Sequence, residues 1–484
     1  MKKLLTLTPL LIIFMIPGFS QLRNYKLSDY HPPQYEFLRI DLKTNIKGSN
    51  FANNYKYESD NKIKDRGETF RGMLTADSYY EYYSLLRQDM IGSMISGNFD
   101  FTNREKGSAD YEESGLNRML DIYGDHLRYF TDNKFWELSY RLSTGYIEYT
   151  RTDNNLVGNL SGDKVKKEND YFNIYFSLPL SVGRGRVENV SNAVRAMFMI
   201  YQLQKAGYIS GNITDENITS LADKLVKLEN TRFFDSRIKR MDDFVAVDSL
   251  LRQEGLVTSR KASYFAELND QWMYTLPRIY SGKKLYTSFE PAIRYRNVHS
   301  EIDDKSLHVK NNPATLSFHQ TVTYEYYKPV NMNLSWGYIV YGGAGIYAGN
   351  NKKEKDDSYV IPDIFLQTVG KVKYLPSTRS KFEAEASVKY THFFDFIEGG
   401  DNNNNKGYLI TSGISFNGYY YLSPRIRIQG TTNLAYNFTK SDLDFGFSHY
   451  PDEPLYDPNN SEYNWYRDNK FNFNFSLGVV YKFK

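Results

Sequence analysis

The side chains able to carry out chemistry in this sequence are few and scattered. The seven histidines, His31, His126, His299, His308, His319, His392 and His449, form no HExxH motif and no close pair, although His299 and His308 share one loop. His319 has Ser317 and Thr321 two residues to either side, and alternate residues of a strand share a face. That is the one arrangement suggesting a hydroxyl nucleophile with an imidazole base. Residues two apart on a strand face are neighbours in any case, so the plain reading is a polar strand face. Asp356, Asp357, Asp401 and the acidic stretch from Asp442 to Glu462 offer oxygen ligands for Ca2+, without EF-hand spacing. Solvated loops account for them equally. The run YGGAG (341–345) reads as close strand packing rather than a phosphate loop. There is no Cys, which removes disulfides, thiolate metal sites, thiol catalysis and the lipid-modified Cys of a lipoprotein. No catalytic, metal-binding or cofactor-binding residue is assigned, and no cofactor is expected.

The elements carrying these residues alternate with period two over long segments. In NMNLSWGYIVY, Met332, Leu334, Trp336, Tyr338 and Val340 share one face, with Asn331, Asn333, Ser335 and Gly337 on the other. Phe172, Ile174, Phe176, Leu178 and Leu180 form a second such row, and Phe471, Phe473, Phe475, Leu477, Val479, Tyr481 and Phe483 a third. Connections fall into two classes. Those at 85–90, 130–134, 328–331, 376–380 and 422–424 are short; those at 47–75, 104–115, 151–168, 298–313, 348–358, 395–407 and 439–469 are long and polar. Short turns alternating with long loops is the pattern of a transmembrane antiparallel up-and-down β-barrel. Fourteen strands are expected, near 35–46, 76–86, 90–103, 116–130, 134–150, 169–182, 284–297, 314–327, 331–347, 359–374, 379–394, 408–421, 424–438 and 470–483. Asp121 and Asp125 spoil the alternation in 116–130, so twelve strands is the fallback. The last strand is expected to close against the first, where Leu38, Ile40 and Leu42 supply a matching apolar row.

Parity then assigns charged residues to a lumen. The candidates are Glu290, Arg294, Arg296, Glu325, Lys381, Glu383, Glu385, Lys389, Arg425 and Arg427, with Arg39, Asp41, Lys43, Asp100, Glu137, Arg141, Asp363, Lys371 and Lys373 in the same class. Mid-strand charges are costly against another sheet's core and cheap against water or one another across a lumen. An open sheet of this size would leave unprotected edges.

Residues 187–280 break the period. They read as four helices: Val194, Met197, Phe198 and Tyr201 on the first; Thr214 as N-cap of the second, with Ile218, Leu221, Leu225 and Leu228; a third stopped by Gly255; a fourth near 259–275. Twelve Lys and Arg balance twelve Asp and Glu across this insertion, which argues against an anionic-lipid or nucleic-acid patch. Counting turns and loops places it on the periplasmic side, as a self-packed bundle that docks a partner or gates the lumen. At the N-terminus, Lys2 and Lys3, the apolar run Leu4 to Ile16, and Gly18 and Ser20 form a secretory signal with cleavage between Ser20 and Gln21. The organisation expected is a signal at 1–20, a first barrel part at 21–186 of about six strands, the insertion at 187–280 and a second barrel part at 281–484 of about eight strands.

Composition agrees. Mean hydropathy is −0.58, yet 43 Tyr and 31 Phe suit strands and membrane–water boundaries. A net charge of +3 gives no field for nucleic acid.

With its signal, alternating strands and aromatic last strand, the chain resembles bacterial outer-membrane β-barrels, particularly the Tyr- and Asn-rich barrels of Bacteroidota. The resemblance implies an outer-membrane location, periplasmic termini, extracellular long loops, contact with outer-membrane lipid, and insertion by a barrel-assembly machinery that reads the last strand. Such strands usually finish on an aromatic residue; here Lys484 follows Phe483. Only 21–34 precede the first strand, which leaves no plug domain and argues against a TonB-dependent transporter. Three functions stay open: a non-enzymatic pore for small polar solutes, a closed docking barrel whose helices bind a periplasmic partner, and an outer-membrane hydrolase.

Overall fold

The computed structural model describes residues 25–481 apart from 57–61, 107–108, 132, 154–164, 231–235, 275, 303–307, 312–313, 352–356, 395–406, 424 and 442–466. The signal segment with Ser20 and Gln21, the Asn402 to Asn405 run, Asp356, Asp401, the 442–462 acidic stretch and the final residues Phe483 and Lys484 lie outside the described residues.

The first half of the sheet comprises β1 (Tyr35–Lys56), β2 (Lys62–Tyr83), β3 (Arg87–Lys106), β4 (Ala109–Tyr129), β5 (Lys134–Asp153), β6 (Val165–Ser177) and β7 (Leu180–Asn189). The second comprises β8 (Tyr280–Ile302), β9 (His308–Asn311), β10 (Ala314–Pro329), β11 (Leu334–Asn351), β12 (Asp357–Ser377), β13 (Ser380–Phe393), β14 (Gly407–Ser423), β15 (Ile426–Ser441) and β16 (Arg467–Tyr481). All pairings are antiparallel between successive strands, in the order β1-β2-β3-β4-β5-β6-β8-β10-β11-β12-β13-β14-β15-β16. β9 is a short addition to β8, and β7 continues β6 between β5 and β8. Pro179 lacks an N–H and interrupts that composite strand. Its carbonyl accepts from Ser139 N at 2.9 Å, and Leu178 N donates to the Pro291 carbonyl at 3.1 Å, so the break is bridged.

The fold is therefore all-β, an up-and-down antiparallel barrel sheet of fourteen strands with a small helical insertion. The twelve-strand alternative falls because all of 116–130 but its last residue lies inside β4. Asp121 there faces the polar side and takes the Arg141 guanidinium at 3.0 Å. One expectation is corrected. Among the described residues β1 and β16 share no hydrogen bonds, so the last strand does not close against the first and a seam remains between them. The period-two pattern fixes which face of a strand is apolar, and both strands carry it, but the pattern contains no term for the neighbour.

The sheet is turned inside out relative to a soluble one. Leu366, Phe416 and Phe473 are 53%, 49% and 59% exposed, and the same holds for Ile95, Phe289, Ile293, Val322 and Phe382 on the convex face. The dry core lies in the helices: α1 (Ser191–Lys205), α2 (Asp215–Asn230), α3 (Ser236–Gln253) and α4 (Ala262–Met273). Thr214 caps α2, accepting from Asn217 N at 3.3 Å while Asn217 Oδ1 accepts from Thr214 N at 2.9 Å, a reciprocal cap. No helix among the described residues is long and apolar enough to cross a membrane.

The bundle sits at the short-turn end of the sheet. Its core of Val194, Phe198, Met199, Leu221 and Leu225 also takes in Leu27 and Tyr30 from the N-terminal segment, Met332 from the β10–β11 turn and Leu375 from the end of β12. Arg379 in the β12–β13 turn holds Asp270 of α4 at 2.5 Å, Thr378 donates to Gln271 at 2.9 Å, and Tyr274 packs on Tyr421 of β14. On the other side Arg278 reaches Glu81 of β2 at 3.2 Å. The chain enters the bundle past Gly185 (φ 101°) and leaves it before Gly282 (φ 116°). A Cβ at Gly185 would stand 2.2 Å from the Lys283 carbonyl oxygen, and one at Gly282 2.1 Å from that of Arg186. This pair of left-handed residues bends the lower ends of β7 and β8 together.

Candidate functional site

Six strands of the concave face line an open pocket of about 390 Å³. Its polar wall is built from alternate residues: Glu137 and Ser139 on β5, Ser181 on β7, Tyr286, Ser288 and Glu290 on β8, Thr323 and Glu325 on β10, Tyr341 on β11 and Gln367 on β12. Each carboxylate is held. Thr321 Oγ1 donates to Glu290 Oε1 at 2.7 Å and Tyr341 Oη to Glu290 Oε2 at 3.2 Å. Tyr286 Oη donates to Glu325 Oε1 at 2.9 Å, and Lys284 Nζ stands 3.9 Å from Glu137 Oε2. Ser181 and Ser288 hydroxyls share a hydrogen bond of 2.7 Å. The lining carries three carboxylates, and Lys284 beside Glu137 offsets one of them, so acidic groups outnumber basic ones there.

Toward the turns the chamber has a floor of Leu127, Tyr129 and Phe135. The Arg186 guanidinium lies 3.8 Å over the Tyr129 ring and pairs with Glu188 at 3.1 Å, which also accepts from Tyr83 Oη at 2.7 Å. Toward the loops, His319 Nε2 meets Asp363 Oδ1 at 3.1 Å. These residues sit on β10 and β12, with Gly345 of β11 in register between them. A Cβ at Gly345 would be 2.2 Å from the His319 ring, so only glycine lets the imidazole cross the intervening strand. That gives the YGGAG run its purpose. Among the described residues no hydroxyl hydrogen-bonds His319, and Thr321 is directed to Glu290. The pair ties β10 to β12 and lacks the Ser or Thr contact a nucleophile needs.

The ten sequence-derived lumen candidates separate into groups. Glu290 and Glu325 line the chamber. Arg294, further toward the loops on β8, lies 5.4 Å over Tyr175, and Arg296 follows it on the same face, in register with Asn173. Lys381, Glu383, Glu385 and Lys389 belong to a strip along β12 and β13. There Lys371 pairs with Glu385 at 2.7 Å, and both Lys373 and Lys381 approach Glu383 at 3.6 Å. Lys389 sits 5.7 Å over the Phe365 ring. Arg427 on β15 donates to Gln429 Oε1 at 2.6 Å and stacks 5.3 Å over Tyr419. Arg425 is the exception: it is exposed in the β14–β15 turn, because β15 begins only at Ile426. Arg425 belongs to the turn rather than to the strand expected over 424–438, whose first position, 424, lies outside the described residues.

The tyrosine and threonine clamps on Glu290 and Glu325 were beyond sequence reasoning, since they join residues 31 to 51 apart. The same holds for the His319–Asp363 bridge.

No family model matches this chain, and no curated protein does. Among solved structures it is similar to a loop-deletion form of OmpT, an outer membrane protein of Vibrio cholerae, at 9% identity over 85% of this chain and 95% of that one, TM-score 0.23. It is similar to the transport unit of the Escherichia coli autotransporter AIDA-I, at 9% identity over 99% and 97%, TM-score 0.21. A variant of the monoaromatic hydrocarbon channel TodX gives 9% identity over 84% and 85%, TM-score 0.26. Scores of this size establish neither a common fold nor a common function.

Proposed function

We propose that this protein is a bacterial outer-membrane barrel acting as a non-enzymatic pore for small polar solutes, with a preference for cations. The observation that carries the reading is the inversion of the sheet, with long apolar rows on the convex face and a polar chamber on the concave one. Exposed apolar rows of this extent are unfavourable in water and natural against lipid tails. The chamber has the volume of a small-solute site, and its carboxylates act as the acidic rings of cation channels do. On this reading the turns, termini and helical bundle are periplasmic and the long loops extracellular. The chain is exported on its N-terminal signal and inserted by the barrel-assembly machinery. Its Tyr- and Asn-rich composition keeps the likeness to barrels of Bacteroidota within the same reading.

The test is membrane fractionation with heat-modifiable gel mobility, followed by conductance in planar bilayers. Discrete steps with cation over anion selectivity are expected, and Glu290→Gln with Glu325→Gln should lower that selectivity several-fold. A wholly soluble product overturns the membrane reading; a membrane-bound barrel without conductance overturns the pore and favours the docking barrel. The docking reading has one observation of its own: Met241 and Val245, one turn apart on α3, are 63% and 56% exposed.

A further inference from the structure

The convex face of the sheet carries an ion cluster that the lumen does not use. Arg87 and Asp89 open β3, and His126 and Arg128 end β4. All four lie in the same row as Ile91, Ile95 and Phe99, the outward row. Arg87 and Arg128 are direct cross-strand partners, as are Asp89 and His126. Two guanidiniums placed opposite one another repel. Here a single carboxylate serves both: Asp89 Oδ2 takes Arg87 Nε at 2.5 Å, and Asp89 Oδ1 takes Arg128 Nη1 at 2.5 Å and His126 Nδ1 at 3.0 Å. The Asp89 side chain is 2% exposed while that of Arg87 is 54% exposed. The cluster thus buries its one anion and presents cation to the outside. With two arginines and one aspartate it keeps an excess positive charge even with His126 neutral. Arg87 bonds Asp89 through Nε, leaving the outer fork of its guanidinium directed away from the carboxylate.

Two further observations give this charge a setting. Arg87 stacks 5.0 Å over Tyr82, and His126 stacks on Tyr140 with ring centroids 5.7 Å apart. Aromatic rings of this kind anchor at the membrane–water boundary. Beyond Asp89, the outward row from Ile91 to Phe101 has the length, roughly 9–11 residues, that a tilted strand needs to cross the hydrocarbon. The cluster therefore lies just past the turn-side edge of the apolar belt. Exposed Lys134, Arg184, Lys283 and Lys328 occupy the same end of the outer face on β5, β7, β8 and β10.

We propose that Arg87 and Arg128, organised by Asp89, form a binding site for the phosphate of a phospholipid headgroup in the leaflet on the turn side. This rests on the membrane reading above. A phosphodiester brings one negative charge to a cluster with one in excess, and the guanidinium fork matches two phosphate oxygens. The acyl chains would then lie along Ile91 and Ile95.

The test is lipid retention by the full chain purified in detergent, read by native mass spectrometry. The probes are dioleoyl-phosphatidylglycerol, dioleoyl-phosphatidylethanolamine, dioleoylglycerol without phosphate, and inorganic phosphate. Both phospholipids should be retained over dioleoylglycerol. Arg87→Gln with Arg128→Gln should weaken retention by about tenfold or more, the effect of losing charge-assisted contacts. Arg118→Gln, an outward cation ten residues before Arg128 on β4 and in register with Gly97, should leave it unchanged. Heat-modifiable mobility of each variant reports folding separately. Should the double variant not fold, Arg87→Lys, which keeps the charge and loses the fork, should weaken retention by about threefold. Equal retention by the wild type and a folded variant overturns the site while the barrel stands. Inorganic phosphate binding as tightly as the lipids overturns the lipid assignment. Failure of the wild type to enter membranes overturns the parent reading instead.

Discussion

Phe198, Met199, Leu203 and Leu221 of the helical bundle are sealed at 1% exposure or less, while Leu366, Phe416 and Phe473 of the sheet stand outside, about half exposed. The side chains are of the same kind and size, and they come from one chain. In the bundle, apolar residues face one another and charge faces out, because the surrounding medium is water. In the sheet the order is reversed, with Glu290 and Glu325 inside and the apolar rows outside. A hydrophobic row therefore carries opposite meanings on the two sides of Gly185 and Gly282. Hydropathy averaged over the whole chain, −0.58, cancels the distinction.

The sharpest way to break this comparison is truncation in the bundle. Phe198→Ala should cost about 3–5 kcal/mol of bundle stability, as deletions of buried aromatics do. Hydrogen exchange should show lost protection in α1 and α2 with heat-modifiable mobility of the sheet retained. Loss of both together would mean that the two regions form one cooperative unit.

A charge on the convex face comes next. Leu366→Arg should destabilise the folded barrel by about 2–4 kcal/mol if that position meets the bilayer midplane. Unfolding in lipid vesicles by urea reads it. An unchanged midpoint would place Leu366 in water and remove the contrast.

The smallest effect is one of pH. Burial pushes the Asp223 carboxyl of α2 up from 3.8, with Tyr30 and Lys227 opposing, and burial likewise raises Glu254 beyond α3. A carboxyl raised in the folded state favours folding at low pH and loses that contribution as pH rises through its folded value. Bundle protection should therefore fall as pH rises from about 4 through the raised values, and Asp223→Asn should flatten part of that slope. Hydrogen exchange of α2, corrected for the intrinsic rate, is the measurement; a slope of opposite sign would contradict the burial of these carboxyls.

Much of the fold was legible in the sequence because the physics behind it is local. Alternation found the fourteen strands but cut the first two short, since 47–75, read as a loop, is strand through Lys56 and again from Lys62. Thr214 and the apolar helical spacing placed the helices, which depend on neighbours within a few residues. Errors arose where a boundary or a partner decided the outcome. Reading 85–90 as a turn hid Arg87 and Asp89, which begin β3, so an outward charged cluster went unnoticed. Reading 424 as the start of a strand moved Arg425 from a turn into the lumen. The chamber was half visible: parity put Glu137, Glu290 and Glu325 on one face. Their convergence depends on curvature across six strands, and the bridge from His319 to Asp363 depends on register over Gly345, which no single strand encodes.

The paired bend at Gly185 and Gly282 has a consequence for how the bundle is held. β7 ends at Asn189 and α1 begins at Ser191, while α4 ends at Met273 and β8 resumes at Tyr280, so the helices hang from two adjacent strands by short connections. Their contacts with the turns are intramolecular, at an effective concentration on the order of millimolar for short tethers. An ion pair such as Arg379 with Asp270 would be negligible between separate molecules at cellular dilution. Across this tether it re-forms each time it breaks, so weak and individually replaceable contacts suffice to keep the bundle against the turns.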